Sequence, residues 1–167
     1  MVIGSRTAWW GRTMAMVVAG IVLSGRPSRA QSCGGAIAAP HSYLVGSWPA
    51  GIAHGDFNAD GFLDLAVANS NAYSPAPGVS IRLGNGDGTF RPGVDVTGIY
   101  RPSAVMAVDL NSDGAVDLVA SNEYSTGQDV VILLGAGAGT FLAAGTYAAD
   151  DSPEGLANGD LDGDGAG

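Results

Sequence analysis

Asp56, Asn58, Asp60 and Asp64 occupy positions 1, 3, 5 and 9 of the stretch DFNADGFLD, with Gly61 at position 6. Oxygen-bearing side chains at alternate positions of a tightly wound loop turn inward, and the glycine permits the sharp bend. Such a shell suits a hard cation with about six to eight oxygen ligands, so the chemistry it suggests is Ca2+ binding. The same types recur at Asp109, Asn111, Asp113 and Asp117 around Gly114, and at Asp160, Asp162 and Asp164 before Gly165. Position 7 can add a main-chain carbonyl, from Phe62 or Ala115. A helix-flanked calcium loop carries Glu at position 12; here Val67 and Ala120 stand there. Without that bidentate ligand the expected affinity is modest, on the order of 10⁻⁴ to 10⁻³ M. The alternative is an Asx turn, in which Asp and Asn bond their own backbone and need no metal. It explains one Asp-Gly pair well but not the same four positions at a fixed period. Carboxylates ~4 Å apart also repel by roughly 1 kcal/mol or more per pair unless a cation intervenes.

The elements that must hold these loops are themselves repeated. PAGIAHGDFNADGFLDLAVAN (49–69) aligns with PSAVMAVDLNSDGAVDLVASN (102–122) and with PEGLANGDLDGDGAG (153–167). A second block, IRLGNGDGTF (81–90), aligns with ILLGAGAGTF (132–141). Two blocks that keep one period mark a repeat architecture. Each period reads as about four short strands. GIAHGD and AVMAVD precede the acidic loop, LDLAVAN and VDLVASN follow it, then GVSIRLG and DVVILLG, then TFRPGVDV and TFLAAGTY. No helical periodicity is found after residue 30. The expected fold is all-β, with propeller-type blades of four antiparallel strands: two full blades and the start of a third. LGNGDGTF offers Asn85 and Asp87, but its partner has Ala136 and Ala138 there and keeps the glycines, so it reads as a turn.

The stretch GDFNADGFLDLAVAN…GVSIRLGNGDGTF resembles the FG-GAP/VCBS repeat family, the blades of integrin-α-like propellers. The resemblance covers about residues 42–167. It implies Ca²⁺ held by Asp56, Asn58, Asp60, Asp64, Asp109, Asn111, Asp113 and Asp117, in extracellular proteins that are often adhesive or carbohydrate-binding. Family propellers usually close with about seven blades, so the chain reads as part of a longer protein, or as a piece that associates with further repeats.

The first 30 residues have the pattern of an export signal. Arg6 and Arg12 precede the uncharged, mostly apolar stretch 13–25, and Ser-Arg-Ala (28–30) offers a cleavage point before Gln31. That stretch is shorter than the ~20 residues of a membrane span. Mature protein is expected outside the cell or in the periplasm. Cys33 lacks the preceding Leu of a lipidation motif, and one Cys forms no internal disulfide. The segments are then 1–30 signal, 31–48 lead, 49–101 and 102–152 repeats, and 153–167 the opening of a third.

The chain carries 7 basic and 16 acidic residues, a formal net charge of −9. All seven basic residues are Arg and four lie in the first 30 positions, so the remainder has three Arg against sixteen acidic residues, a balance of −13. Charge of this sign argues against nucleic acid or an anionic membrane as partner and for cations. His41 and His54 are isolated, and neither a nucleophile elbow nor a phosphate loop occurs. Catalysis is therefore not expected of these residues. The alternative is that they form the propeller part of a larger secreted lyase or hydrolase. Tyr43 and Trp48 could stack on a sugar, though aromatics in strands more often belong to a core.

Overall fold

The computed structural model describes residues 15–18, 40–70, 78–124, 127–149 and 153–159. Among the described residues the strands are β1 (Ala15–Val18), β2 (His41–Leu44), β3 (Pro49–Gly55), β4 (Asp64–Asn69), β5 (Val79–Gly84), β6 (Phe90–Pro92), β7 (Val105–Val108), β8 (Asp117–Tyr124), β9 (Gly127–Gly135) and β10 (Phe141–Ala148). No helix occurs among the described residues, and none is long and apolar enough to cross a membrane. β3–β4–β5–β6 and β7–β8–β9–β10 form two four-stranded antiparallel sheets, each in chain order. This arrangement is consistent with propeller-type blades, as the repeat implied.

Side chains alternate across each strand, and the two faces of a sheet meet different neighbours. From the first sheet, Ala66, Ala68, Val79, Ile81 and Leu83 point toward the second. Leu118, Ala120, Val131 and Leu133 of the second sheet meet them. Ile99 and Val105 join this one core, and Phe57 stacks edge-on against Phe141 with ring centroids 5.5 Å apart. The small residues Ala66, Ala68 and Ala120 let the sheets approach closely. At Gly51 an added Cβ would lie 2.9 Å from the Ser103 carbonyl oxygen.

The fourth strand of the first repeat is shorter than its sequence pattern implied. β6 stops at Pro92, which has no N–H to give the ladder. Asp95 then substitutes a side chain for backbone: its Oδ1 accepts the Ile81 N–H at 3.0 Å. The Gly93 N–H still donates to the Ile81 carbonyl at 3.0 Å, and beyond it the isolated bridge Val79–Val96 continues the pairing. The second repeat has Ala143 where the first has Pro92, and β10 runs for eight residues with one irregularity between Ala143 and Gly145.

Within the stretch read as the apolar part of an export signal, residues 15–18 form β1, which pairs antiparallel with β2 from Ala15–Leu44 to Val18–His41. The opening of the third repeat, residues 153–159, carries no regular structure. It touches the second sheet where the Ser103 hydroxyl donates to the Pro153 carbonyl at 3.1 Å.

Candidate metal centre

Both acidic loops join the first strand of a sheet to the second, β3 to β4 and β7 to β8. They fold alike, bond for bond. Asp56 Oδ1 accepts the Asp60 N–H at 3.1 Å and Asp109 Oδ1 the Asp113 N–H at 3.2 Å. Asn58 Oδ1 and Asn111 Oδ1 accept those same two amides, each at 3.0 Å. The other oxygens of Asp56 and Asp109 accept the Gly61 and Gly114 N–H at 2.8 and 2.9 Å. Asp60 Oδ1 takes the Phe62 N–H at 2.9 Å, and Asp113 Oδ1 the Ala115 N–H at 2.7 Å. The amides of Asn58 and Asn111 donate to Asp60 and Asp113 at 2.9 and 2.8 Å.

Backbone conformation explains the glycine. Gly61 and Gly114 have φ of 85° and 87°, a left-handed region where a Cβ is penalised. Ala59 and Ser112, two residues earlier in each loop, also have positive φ, 57° and 58°. Two left-handed residues coil the loop so that the side chains at positions 1 and 3 converge on the amide of residue 60 or 113, while the side chain at position 5 takes the amide two residues on.

The ninth position behaves differently. Asp64 and Asp117 are fully buried at the start of β4 and β8. Asp64 Oδ2 accepts the Phe57 N–H at 2.9 Å and its Oδ1 the Gly84 N–H at 2.7 Å. Asp117 repeats this with Leu110 at 2.9 Å and Gly135 at 2.8 Å. Each carboxylate thus ties its own loop to the end of the third strand of its sheet. The residue at that end must be glycine: a Cβ on Gly84 would collide with the Leu63 carbonyl, and one on Gly135 with the Val116 carbonyl. The strut was not foreseen from the sequence, although the invariant pairing of Asp at position 9 with Leu-Gly at the end of the third strand carries its signal in both repeats.

Electrostatics divides the first loop. Burial pushes the Asp64 carboxyl up from 3.8, against the two amides it accepts, and the charges of Asp60 and Asp56 add to the rise. The Phe62 N–H, followed by the Asn58 amide and Arg91, pulls exposed Asp60 down despite some desolvation. Arg91 Nη2 stands 3.8 Å from Asp60 Oδ2. The equivalent of Arg91 in the second repeat is Leu142, which gives that loop no matching cation at this position.

The structure therefore brings Asp56, Asn58 and Asp60 together, and likewise Asp109, Asn111 and Asp113, and sets Asp64 and Asp117 beneath them. Phe62 and Ala115 contribute amides that close the coil. In the form described, these oxygens face backbone amides, and no group of three or more His, Cys, Asp or Glu is placed to hold a metal ion among the described residues. The donor set is all oxygen, and each carboxylate oxygen has a second lone pair beside the one an amide occupies. Asp160, Asp162 and Asp164 lie outside the described residues.

The Gly-rich stretches after β5 and β9 are turns in both repeats. Asn85 N–H donates to Thr89 O, and Ala136 N–H to Thr140 O, each at 2.9 Å. Asp87 Oδ1 accepts from both the amide and the hydroxyl of Thr89. Of the two aromatics considered for sugar stacking, Tyr43 packs edge-on against Phe90 at 5.4 Å, whereas Trp48 is 70% exposed at the entry to β3. Trp48 is thus not a core residue; its φ of 60° turns the chain before the strand begins.

Residues 56–120 match the family model of the FG-GAP-like repeat. No curated protein and no solved structure matches the chain.

Proposed function

We propose, from the FG-GAP-like repeat that residues 56–120 carry, that this chain is a Ca²⁺-binding module of an exported propeller-type protein that presents its blades to an extracellular carbohydrate or protein. The observation that carries the proposal is the duplication of the loop. Two segments with the same oxygen donors at the same positions coil identically, converging three side chains per loop. In the first loop burial chiefly raises the Asp64 carboxyl, and the charges of Asp60 and Asp56 add to the rise. A divalent cation would relieve that repulsion and pin the loop between its two strands.

Asp56, Asn58 and Asp60 would hold the ion in the first loop, and Asp109, Asn111 and Asp113 in the second. Asp64 and Asp117 back each loop from inside. Ca²⁺ supplies positive charge and a hard coordination centre there. The chain's own residues set the loop's curvature through Gly61 and Gly114 and anchor it through the buried struts. Export is supported by the sequence of residues 1–30, and ligand binding by the resemblance to adhesive repeat proteins.

The test is thermal unfolding of the full chain in Ca²⁺ and in chelator. With a dissociation constant of ~10⁻⁴ M, 10 mM Ca²⁺ adds about 2.7 kcal/mol per site by mass action. Paired Asp60→Ala and Asp113→Ala substitutions should abolish most of the shift. Equal melting with and without Ca²⁺ would remove the metal from the proposal. A shift that survives both substitutions would move it to other ligands.

A further inference from the structure

The two acidic loops coil alike, yet they do not have the same neighbour on the fourth strand. Three Arg follow the first 30 residues, and one of them, Arg91, stands on β6. Leu83 faces Arg91 across the ladder of the first sheet, as Leu134 faces Leu142 in the second. The two positions are therefore equivalent. The second sheet carries an apolar side chain there, 66% exposed, where the first carries a charge.

The turn that follows β5 holds the guanidinium of Arg91 in place. Its Nη1 donates to the Gly84 carbonyl and to Asn85 Oδ1, each at 3.1 Å. Its Nη2 stands beside the first loop, 3.8 Å from Asp60 Oδ2, the oxygen that also accepts from the Asn58 amide. Gly84 links the two sides of this arrangement: its N–H donates to buried Asp64, and its carbonyl accepts from Arg91. The other charge of the turn, Asp87, is taken up by Thr89. In the second repeat Ala136 stands for Asn85 and Leu142 for Arg91, so both the cation and its side-chain anchor are replaced.

We propose that Arg91 is a built-in counter-ion of the first loop, so that this loop takes up Ca²⁺ more weakly than the second; the inference rests on the reading of both loops as Ca²⁺ sites. A unit positive charge ~6 Å from a divalent ion in water weakens its binding on the order of 10-fold. The Arg91 side chain is about half exposed, so salt screens part of that effect. The same charge relieves part of the repulsion between Asp56 and Asp60 when no metal is bound. This suits the place of the first loop in the fold. Phe57, its second residue, accepts the Gly139 N–H of the second sheet at 2.9 Å and packs against Phe141. Leu110, the counterpart in the second loop, is 44% exposed. The loop that fastens one sheet to the other thus carries its own cation, and the other loop draws its cation from solution.

Titration of the full chain with Ca²⁺, followed by NMR at the Gly61 and Gly114 amides, reads the two loops separately, because each amide donates to an aspartate of its own loop. In the wild type at low salt, Gly114 should reach its midpoint at roughly 3- to 10-fold lower Ca²⁺ than Gly61. Arg91→Leu should bring the Gly61 midpoint down to that of Gly114 and leave Gly114 in place. Ala136→Asn with Leu142→Arg, both at exposed positions, transplants the cation and its anchor and should raise the Gly114 midpoint; this variant decides if Arg91→Leu does not fold. Equal midpoints in the wild type, or a Gly61 midpoint that Arg91→Leu leaves unchanged, would overturn the proposal and leave the metal sites standing. If neither amide responds to Ca²⁺, the metal reading itself falls, and the role of Arg91 falls with it.

Discussion

At the scale of single residues, the two acidic loops divide their aspartates by burial. Asp64 and Asp117 are inside and accept buried amides; the others lie at the surface and coil the loop. Removing a buried acceptor leaves its donors stranded, at about 1–3 kcal/mol for each. Asp117→Ala strands the amides of Leu110 and Gly135, so a loss of roughly 2–6 kcal/mol is expected in urea unfolding. Asn85→Ala, whose side chain donates only to the exposed Thr89 hydroxyl and accepts from Arg91, should cost under about 1 kcal/mol. A second residue-level prediction concerns pH. The hydroxyl and amide of Thr89 hold the Asp87 carboxyl below 3.8. A depressed folded-state value gives stability that is fully present above 3.8 and is lost as pH falls through the lower folded value. Asp87→Ala should therefore melt slightly below the wild type at pH 7, and the gap should close below pH 3.8. A gap that widens on acidification would contradict that sign.

At the scale of elements, strand ends are set by backbone approach more than by strand propensity. β5 and β9 both end in a glycine lying against the carbonyl that precedes β4 or β8. Gly135→Ala should force β9 off the Val116 carbonyl and cost on the order of 1–3 kcal/mol, as overpacking does, read as a fall in urea midpoint. Gly155→Ala, which meets nothing within 4 Å, is the contrasting control and should leave the midpoint unchanged. The strand pattern of each repeat was legible from alternation and turn residues. The early stop of β6 was not, because it depends on the Asp95 carboxylate taking the place of a backbone carbonyl as acceptor of the Ile81 N–H. Pro92 marked the spot, but only the neighbouring strand shows what takes its place.

At the scale of the whole molecule, the same repeat position is polar or apolar according to what covers it. Arg82, the repeat counterpart of Leu133, is tolerated because the Leu44 carbonyl and Asp95 satisfy it. Leu133 sits between two sheets with no such partners. Leu133→Arg should thus bury an unpaired charge between the sheets and cost about 3–5 kcal/mol, enough to show as lost cooperative unfolding or a greatly lowered midpoint. Near-wild-type stability would mean that the two sheets separate readily.

The sequence by itself determined the all-β class, the number and order of strands in each repeat, and the coil of the acidic loops. These follow from local rules: alternation, glycine at left-handed positions, and side-chain oxygens within bonding reach of nearby amides. The tertiary structure decided the rest. The ninth-position aspartates became buried struts because the third strand returns beside them, twenty residues after Asp64 in the first repeat. Tyr43 became a packing residue and Trp48 an exposed one because the lead crosses the first sheet before turning into β3. Contacts between residues distant in sequence depend on which faces meet, and a pattern of types along a chain does not state that until the sheets are assembled.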